Sequence, residues 1–232
     1  MVQALVRRPS PRLGEGIVTH VPRRSVDAGL ALAQWHGYVE ALDGAGWEIV
    51  ELPPVDDCPD GVFVEDVLVV RGGLAVATRP GAESRRPEVE TAAAAAAALG
   101  YEVASIRQPG TLDGGDVLET GDGVIVGVGG RTNGEGARQL ARLLGVAVVE
   151  RPVAGVLHLK TALTSLPDGS LVEANTVDLG GGRVLVAAGA RDGVLVAARG
   201  FEPVPVEIGE FEKLEGGVTC LSVRARRTDR QR

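Results

Sequence analysis

Val62-Phe63-Val64-Glu65-Asp66-Val67-Leu68-Val69-Val70-Arg71-Gly72-Gly73-Leu74-Ala75-Val76-Ala77-Thr78 reads as two apolar runs on either side of a glycine turn. Short β-branched runs that reverse at Arg71-Gly72-Gly73 predict a hairpin, with strands over 62–70 and 74–78. An alanine-rich stretch over 88–99 predicts a helix, because alanine gives up the least on entering one, and 101–106 reads as another strand. Strand, turn, strand, helix, strand is the pattern that decides the fold.

The pattern recurs with a period of about 45 to 50 residues, in the range of radial or stacked repeat architectures. The first copy takes strands over 4–6 and 17–20, a helix over 26–42 and a strand over 47–52. The third takes strands over 116–118 and 123–128, a helix over 135–144 and a strand over 146–150. The fourth stops after a hairpin of 157–165 and 171–174 across Leu166-Pro167-Asp168-Gly169-Ser170, with no helix following. The fifth supplies strands over 176–179 and 183–187, a short helix over 194–198 and a strand over 203–208. A last strand over 218–224 has no unit of its own and is expected to pair back into the first, which brings Cys220 beside the start of the chain. No linker-like stretch divides the sequence, so 1–224 reads as one α/β domain and 225–232 as a disordered tail.

The 232 residues are 44% hydrophobic and 24% charged, ordinary values for a globular chain with a full core. Only 3% are aromatic, so Ala, Val and Leu must fill the interior. A formal net charge of −7 argues against a nucleic-acid partner and suits a cationic small ligand. The first residues lack the apolar core of a secretion signal, and two cysteines cannot make a disulfide framework, so a reducing, cytoplasmic setting is expected. The most apolar stretch, 92–99, is far shorter than the ~20 residues of a membrane helix. Neither Cys-x-x-Cys nor His-Glu-x-x-His occurs, and the histidines at 20, 36 and 158 stand apart.

In a radial assembly the first strands of the units meet around a centre, and their polar residues must face it. They are Glu65 and Asp66, Asp113 and Asp116, His158 and Lys160, and Cys220. Buried carboxylates are costly unless paired, and a guanidinium pairs with them in a planar, bidentate way. Guanidinium carbon is a poor electrophile, so its hydrolysis needs carboxylates to localise the charge and a strong nucleophile such as a thiolate. An imidazole can protonate the departing amine and then take a proton from water. Each residue also has a plainer reading. A lone Cys220 could be core, His158 a satisfied core histidine, Asp113-Gly114 a turn, and Arg85 and Arg131 surface charge. Alternation along Leu157-His158-Leu159-Lys160 predicts a strand with both cations on one face.

Ala4-Leu5-Val6-Arg7-Arg8, Val62-Phe63-Val64-Glu65-Asp66, the run Thr78 to Arg86, Thr111-Leu112-Asp113-Gly114-Gly115-Asp116-Val117-Leu118, Arg131-Thr132-Asn133, Leu157-His158-Leu159-Lys160 and Gly216-Gly217-Val218-Thr219-Cys220 follow one another in this order. Together they resemble the dimethylarginine dimethylaminohydrolase family of the guanidino-group-modifying, or pentein, superfamily, which includes arginine deiminase. The resemblance implies a five-fold pseudosymmetric ββαβ propeller, no metal or organic cofactor, and hydrolysis of Nω-methylated arginine to citrulline and a methylamine. It matches Cys220 to the nucleophile, His158 to the general acid/base and Asp113 to the carboxylate beside it. It matches Asp66, supported by Glu65, to the guanidinium site, and Arg85 and Arg131 to the grip on the substrate carboxylate. Asp60 and the backbone near Leu13 and Leu214 match contacts to the α-amino end. Lys160, where a deiminase usually has an acid, favours methylated arginine. The chain departs from the family in its fourth unit, where Ala174-Asn175-Thr176 follows Leu171-Val172-Glu173 with no helix between.

Two rivals stand beside this reading. An arginine deiminase or other amidine hydrolase would turn over plain arginine comparably, and a non-catalytic binder of cationic amino acids, or a ribosome-associated factor, would bind without consuming. The expected partner is the small-molecule substrate, with neither nucleic acid nor membrane; a homodimer is left open.

Overall fold

Where the sequence places glycine turns, pairs of short strands reverse. Residues 2–121 and 123–226 are described in this computed structural model. The first sheet begins with β1 (Val2–Val6), followed by helix α1 (Ala28–Gly44) and strand β2 (Glu48–Glu51), which lies parallel to β1. The second comprises β3 (Leu68–Arg71), β4 (Leu74–Ala77), α2 (Glu88–Ala98) and β5 (Glu102–Ser105). The third comprises β6 (Val117–Thr120), β7 (Gly123–Val128), α3 (Gly134–Leu144) and β8 (Val148–Pro152). In both, the first two strands are antiparallel and the helix returns the chain to a parallel third strand.

The fourth unit is a four-residue helix α4 (Leu159–Ala162) and a two-stranded hairpin of β9 (Thr164–Ser165) and β10 (Leu171–Val172). The fifth restores the pattern with β11 (Val177–Gly180), β12 (Arg183–Ala187), α5 (Asp192–Ala198) and β13 (Glu202–Val206). A short helix α6 (Gly209–Glu212) leads to β14 (Val223–Arg226), which pairs antiparallel with β1. The end of the chain thus completes its first sheet, as expected. Among the described residues the result is five separate small sheets in a mixed α/β fold.

Local chemistry sets the boundaries. Asp27 caps α1 through Leu30 N, Asn133 caps α3 through Gly136 N, and α3 ends at Gly145 with a left-handed φ of +64°. The interior is filled by small aliphatic side chains, with Trp35, Tyr38 and Phe211 gathered against α1 and α6. Arg7 is fully buried and donates to the carbonyls of Pro53, Gly61 and Glu88 and to Thr91 Oγ1, so its guanidinium ties the first unit to the second.

Five expectations are corrected. Residues 17–20 form no strand, because their N–H groups are taken by the carboxylates of Asp60 and Glu215. Residues 62–67 make a tight turn, 3₁₀ over Val64–Val67, and the strand begins only at Leu68. Residues 157–160 do not alternate as a strand, because Leu159 N turns to Asp116 Oδ1 and starts α4. Cys220 lies in a turn, its N–H on Gly217 O, and the last strand starts three residues later. The tail expected to be disordered from 225 is paired through Arg226, with Ala225 opposite Gln3; residues 227–232 lie outside the described residues.

Candidate active site

Cys220 reaches its position through glycine. A Cβ on Gly216 would come within 2.4 Å of the Phe63 ring, and one on Gly217 within 2.4 Å of Asn175 Oδ1, so the turn before the sulfur packs closer than any side chain allows. Glu65 N donates to Cys220 O at 3.2 Å, joining this late turn to the early acidic one. The sulfur is 3.4 Å from Gly217 N and 3.9 Å from Thr219 Oγ1. Burial, with Glu65 and Asp66 nearby, pushes the Cys220 thiol up to about 12, so it rests protonated.

His158 stands at the start of α4 and is buried between carboxylates. Its Nε2 lies 3.1 Å from Asp113 Oδ2, and its Nδ1 lies 3.6 Å from Asp66 Oδ1, beyond a good hydrogen bond. Asp113 Oδ1 is held by Gly81 N at 2.8 Å, and Asp66 Oδ1 by Gly115 N at 3.0 Å. Gly115 must be glycine here, because its Cβ would fall 2.6 Å from His158 Nδ1. Asp116 accepts from Leu159 N at 2.9 Å and from Thr132 Oγ1 at 2.6 Å, and so fixes the start of α4 beneath the histidine. Burial pulls the imidazole down, but Asp66, Asp113 and Asp116 outweigh it and raise His158 to about 9, so it is an imidazolium at neutral pH.

A narrow cavity of about 20 Å³ joins Cys220, His158, Asp66, Asp60, Arg85 and Arg131. Arg85 is fully committed. It donates to Asp66 Oδ2, to Glu88 at 3.1 and 2.7 Å, and to the carbonyls of Asp60 and Phe63. Arg131 is freer, 3.8 Å from Asp113 Oδ2 and 3.3 Å from Thr19 Oγ1. Asp60 accepts from Ile17 N at 3.0 and 3.2 Å, and burial lifts its carboxyl above the usual range despite Arg85.

Leu214 lies in the cavity wall, whereas Leu13 is core and its carbonyl is taken by Gly16 N. Glu65 and Lys160, paired at 2.8 Å, face the other way, into a channel of about 340 Å³ that also reaches Arg71, Glu119 and Arg224. The structure therefore brings Cys220, His158, Asp66, Asp60, Arg85, Arg131 and Leu214 to one cavity, with Asp113 directly behind His158. Lys160 is set outside that cavity.

Asp66, Asp113 and His158 offer atoms within 4.8 Å of one another, close enough to hold a cation. Positive charge is already supplied there by Arg85 on Asp66 and by the imidazolium between the two carboxylates.

No protein-family model matches the chain. The N(G),N(G)-dimethylarginine dimethylaminohydrolase of Streptomyces coelicolor is 54% identical over 97% of both chains. The chain belongs to the dimethylarginine dimethylaminohydrolase family. The member from Pseudomonas aeruginosa is 33% identical over 95% of this chain and 98% of its own. Among solved structures, a dimethylarginine dimethylaminohydrolase adduct with S-methyl-L-thiocitrulline superposes with a TM-score of 0.91 at 32% identity, over 97% of this chain and 100% of that one. A Pseudomonas aeruginosa mutant complexed with citrulline superposes at 0.88 and 33% identity, over 96% and 98%. The N-terminal domain of ArgZ, at 0.88 but 19% identity over 98% of each chain, shares the fold.

Several residues at this family site were not singled out as site residues from sequence. Asp116, the second acid of Leu112-Asp113-Gly114-Gly115-Asp116, was counted among the centre-facing polar residues but given no role. Thr219 stands inside the Gly216–Cys220 motif but was given no role of its own, while Asn175 and Glu215 carry no motif and reach the site through contacts distant in sequence.

Proposed function

We propose that the chain hydrolyses Nω-methylated arginine to citrulline and a methylamine through a covalent adduct on Cys220. The observation that carries the reading is the single cavity in which a buried thiol, an imidazolium and paired carboxylates face one another, in a chain 54% identical to a dimethylarginine dimethylaminohydrolase.

In this reading the substrate guanidinium enters against Asp66, its carboxylate takes Arg131, and its ammonium takes Asp60. Arriving positive charge offsets the two carboxylates that hold the thiol protonated, so substrate itself favours the thiolate, the thiol proton passing to solvent because His158 already carries its own. Sulfur attacks the guanidinium carbon. His158, charged at neutral pH, gives its proton to the departing methylamine and leaves a thiouronium on Cys220. The neutral imidazole then takes a proton from the attacking water, the carbon–sulfur bond breaks, and citrulline departs. Asp113 holds the ring through Nε2, leaving Nδ1 for the proton transfers.

The five sheets are read as blades of a five-fold ββαβ propeller with a shortened fourth blade, an arrangement supported by the pairing of β14 with β1 and by the channel and cavity back to back at the centre. A cytoplasmic setting fits a working free thiol. The test is citrulline release from dimethylarginine and from plain arginine in competition. Preference for dimethylarginine, lost in Cys220→Ser with unchanged circular dichroism, is expected; comparable turnover of arginine would point to a deiminase.

A further inference from the structure

We propose that Asn175 and Thr219 form a relay that stabilises the Cys220 thiolate and locks the nucleophile turn to the segment carrying His158, with Asn175 a positioning residue. The proposal rests on the reading of Cys220 as the nucleophile.

Asn175 sits between β10 and β11, at the place where the fourth unit ends without a helix. Its Oδ1 accepts from Thr219 N at 3.0 Å, and its Nδ2 donates to Lys160 O at 2.7 Å and to Thr219 Oγ1 at 3.0 Å. The two backbone partners fix the amide's orientation, since an N–H can only donate and a carbonyl can only accept. One side chain thus holds the residue before Cys220 and a residue of α4, two positions beyond His158. Asn175 N is itself anchored on Asp192 Oδ2 at 3.1 Å, and Gly217 has no Cβ to push the amide away.

The consequence for sulfur follows from counting protons. Thr219 Oγ1 receives a hydrogen from Asn175, and its own hydroxyl proton is free to turn toward Cys220 Sγ, 3.9 Å away. When the thiol loses its proton, the thiolate gains this O–H and the Gly217 N–H as donors. These two donors oppose burial and the carboxylates of Glu65 and Asp66. The other charged groups around the sulfur are His158, Arg85, Arg131, Asp60 and Glu215 in the cavity wall, with Tyr38 and Arg224 behind the turn. None of these offers the sulfur a hydrogen bond among the described residues.

The test is the rate at which chloroacetamidine, a cationic electrophile, and iodoacetamide, a neutral one, alkylate Cys220 across pH; sulfur displaces the halide, and intact mass reads the adduct. Thr219→Val and Asn175→Ala are expected to slow labelling at neutral pH by about tenfold or more, the worth of one hydrogen bond to a charged group. Their pH profiles should move upward, Thr219→Ser should label like wild type, and the double variant should lose little more than either single one. In dimethylarginine turnover, kcat should fall with KM nearly constant. Wild-type labelling rate and pH profile in Thr219→Val would overturn the relay, as would a Cys220 that resists both reagents in the wild-type protein. If labelling falls as expected while wild type releases no citrulline, the relay stands and the methylarginine reading fails. If Asn175→Ala loses labelling only in proportion to a lowered unfolding midpoint while Thr219→Val is normal, the amide is structural and the proposal is wrong.

Discussion

Arg85 donates Nη1 to Asp66 Oδ2, and both side chains are almost wholly buried. An internal guanidinium therefore already occupies the carboxylate that the family resemblance assigns to the substrate's guanidinium. The cavity is narrow, about 20 Å³, and a substrate guanidinium that reaches it meets Arg85 as a competitor for Asp66. Asp66→Asn removes the shared anion. It leaves Arg85 ion-paired with Glu88, beside the carbonyls of Asp60 and Phe63, at a cost of about 3 kcal/mol for a broken buried pair. The expected outcome is a lower urea midpoint together with a dimethylarginine KM raised by more than about tenfold.

His158 is held charged by three carboxylates, which raise it to about 9. Because a proton must be given to the leaving amine, kcat/KM is expected to fall as pH rises through about 9. Stability should follow the same group with the same sign. A histidine raised in the folded state stabilises fully below its unfolded value near 6.5, and that contribution is lost as pH rises through about 9. Paired pH profiles of turnover and of the urea midpoint check both statements; a midpoint that climbs between pH 7 and 10 would contradict the assignment.

Asp113→Asn separates orientation from charge. The amide can still reach His158 Nε2 across the 3.1 Å contact, but it cannot stabilise the imidazolium. The alkaline limb of the pH profile is expected to move down, and kcat at neutral pH to drop by about a hundredfold, the upper range for impaired proton transfer being larger still. Steady-state kinetics at several pH values measure both.

The hairpins of the second, third and fifth units were legible because apolar runs and glycine turns act over neighbouring residues, as does the alanine helix of the second. Residues 62–67, 17–20 and 157–160 were misread as strands for one shared reason. Their backbone N–H and C=O groups bond to side chains or to distant turns, such as Leu159 N to Asp116 Oδ1, and no local pattern announces such partners. The site was legible where a residue type carries chemistry, as with Cys220, His158 and Asp66. It was illegible where the type is ordinary and the contact is remote: Asn175 meets Thr219 across 44 residues, and Glu215 meets Thr19 across 196. Lys160, expected to share a strand face with His158, instead follows it in a helical turn, and its amine reaches Glu65.

Glu215 offers the sharpest test of how the cavity opens. Its carboxylate accepts from the N–H groups of Thr19 and His20, while Asp60 holds Ile17 and Arg131 holds Thr19. Substrate would draw Asp60 and Arg131 away from this segment, leaving Glu215 as the fastening that need not let go. Glu215 also adopts a φ of +64°, a left-handed conformation that costs a non-glycine residue about 1 kcal/mol. Glu215→Gly relieves that strain and removes the latch at once, so stability and closure should part company. The urea midpoint is expected to hold or rise, iodoacetamide should reach Cys220 several-fold faster, and the dimethylarginine KM should increase. Glu215→Gln, which keeps one acceptor oxygen, should fall between. Slower labelling in Glu215→Gly would mean that residues 17–20 do not guard the sulfur.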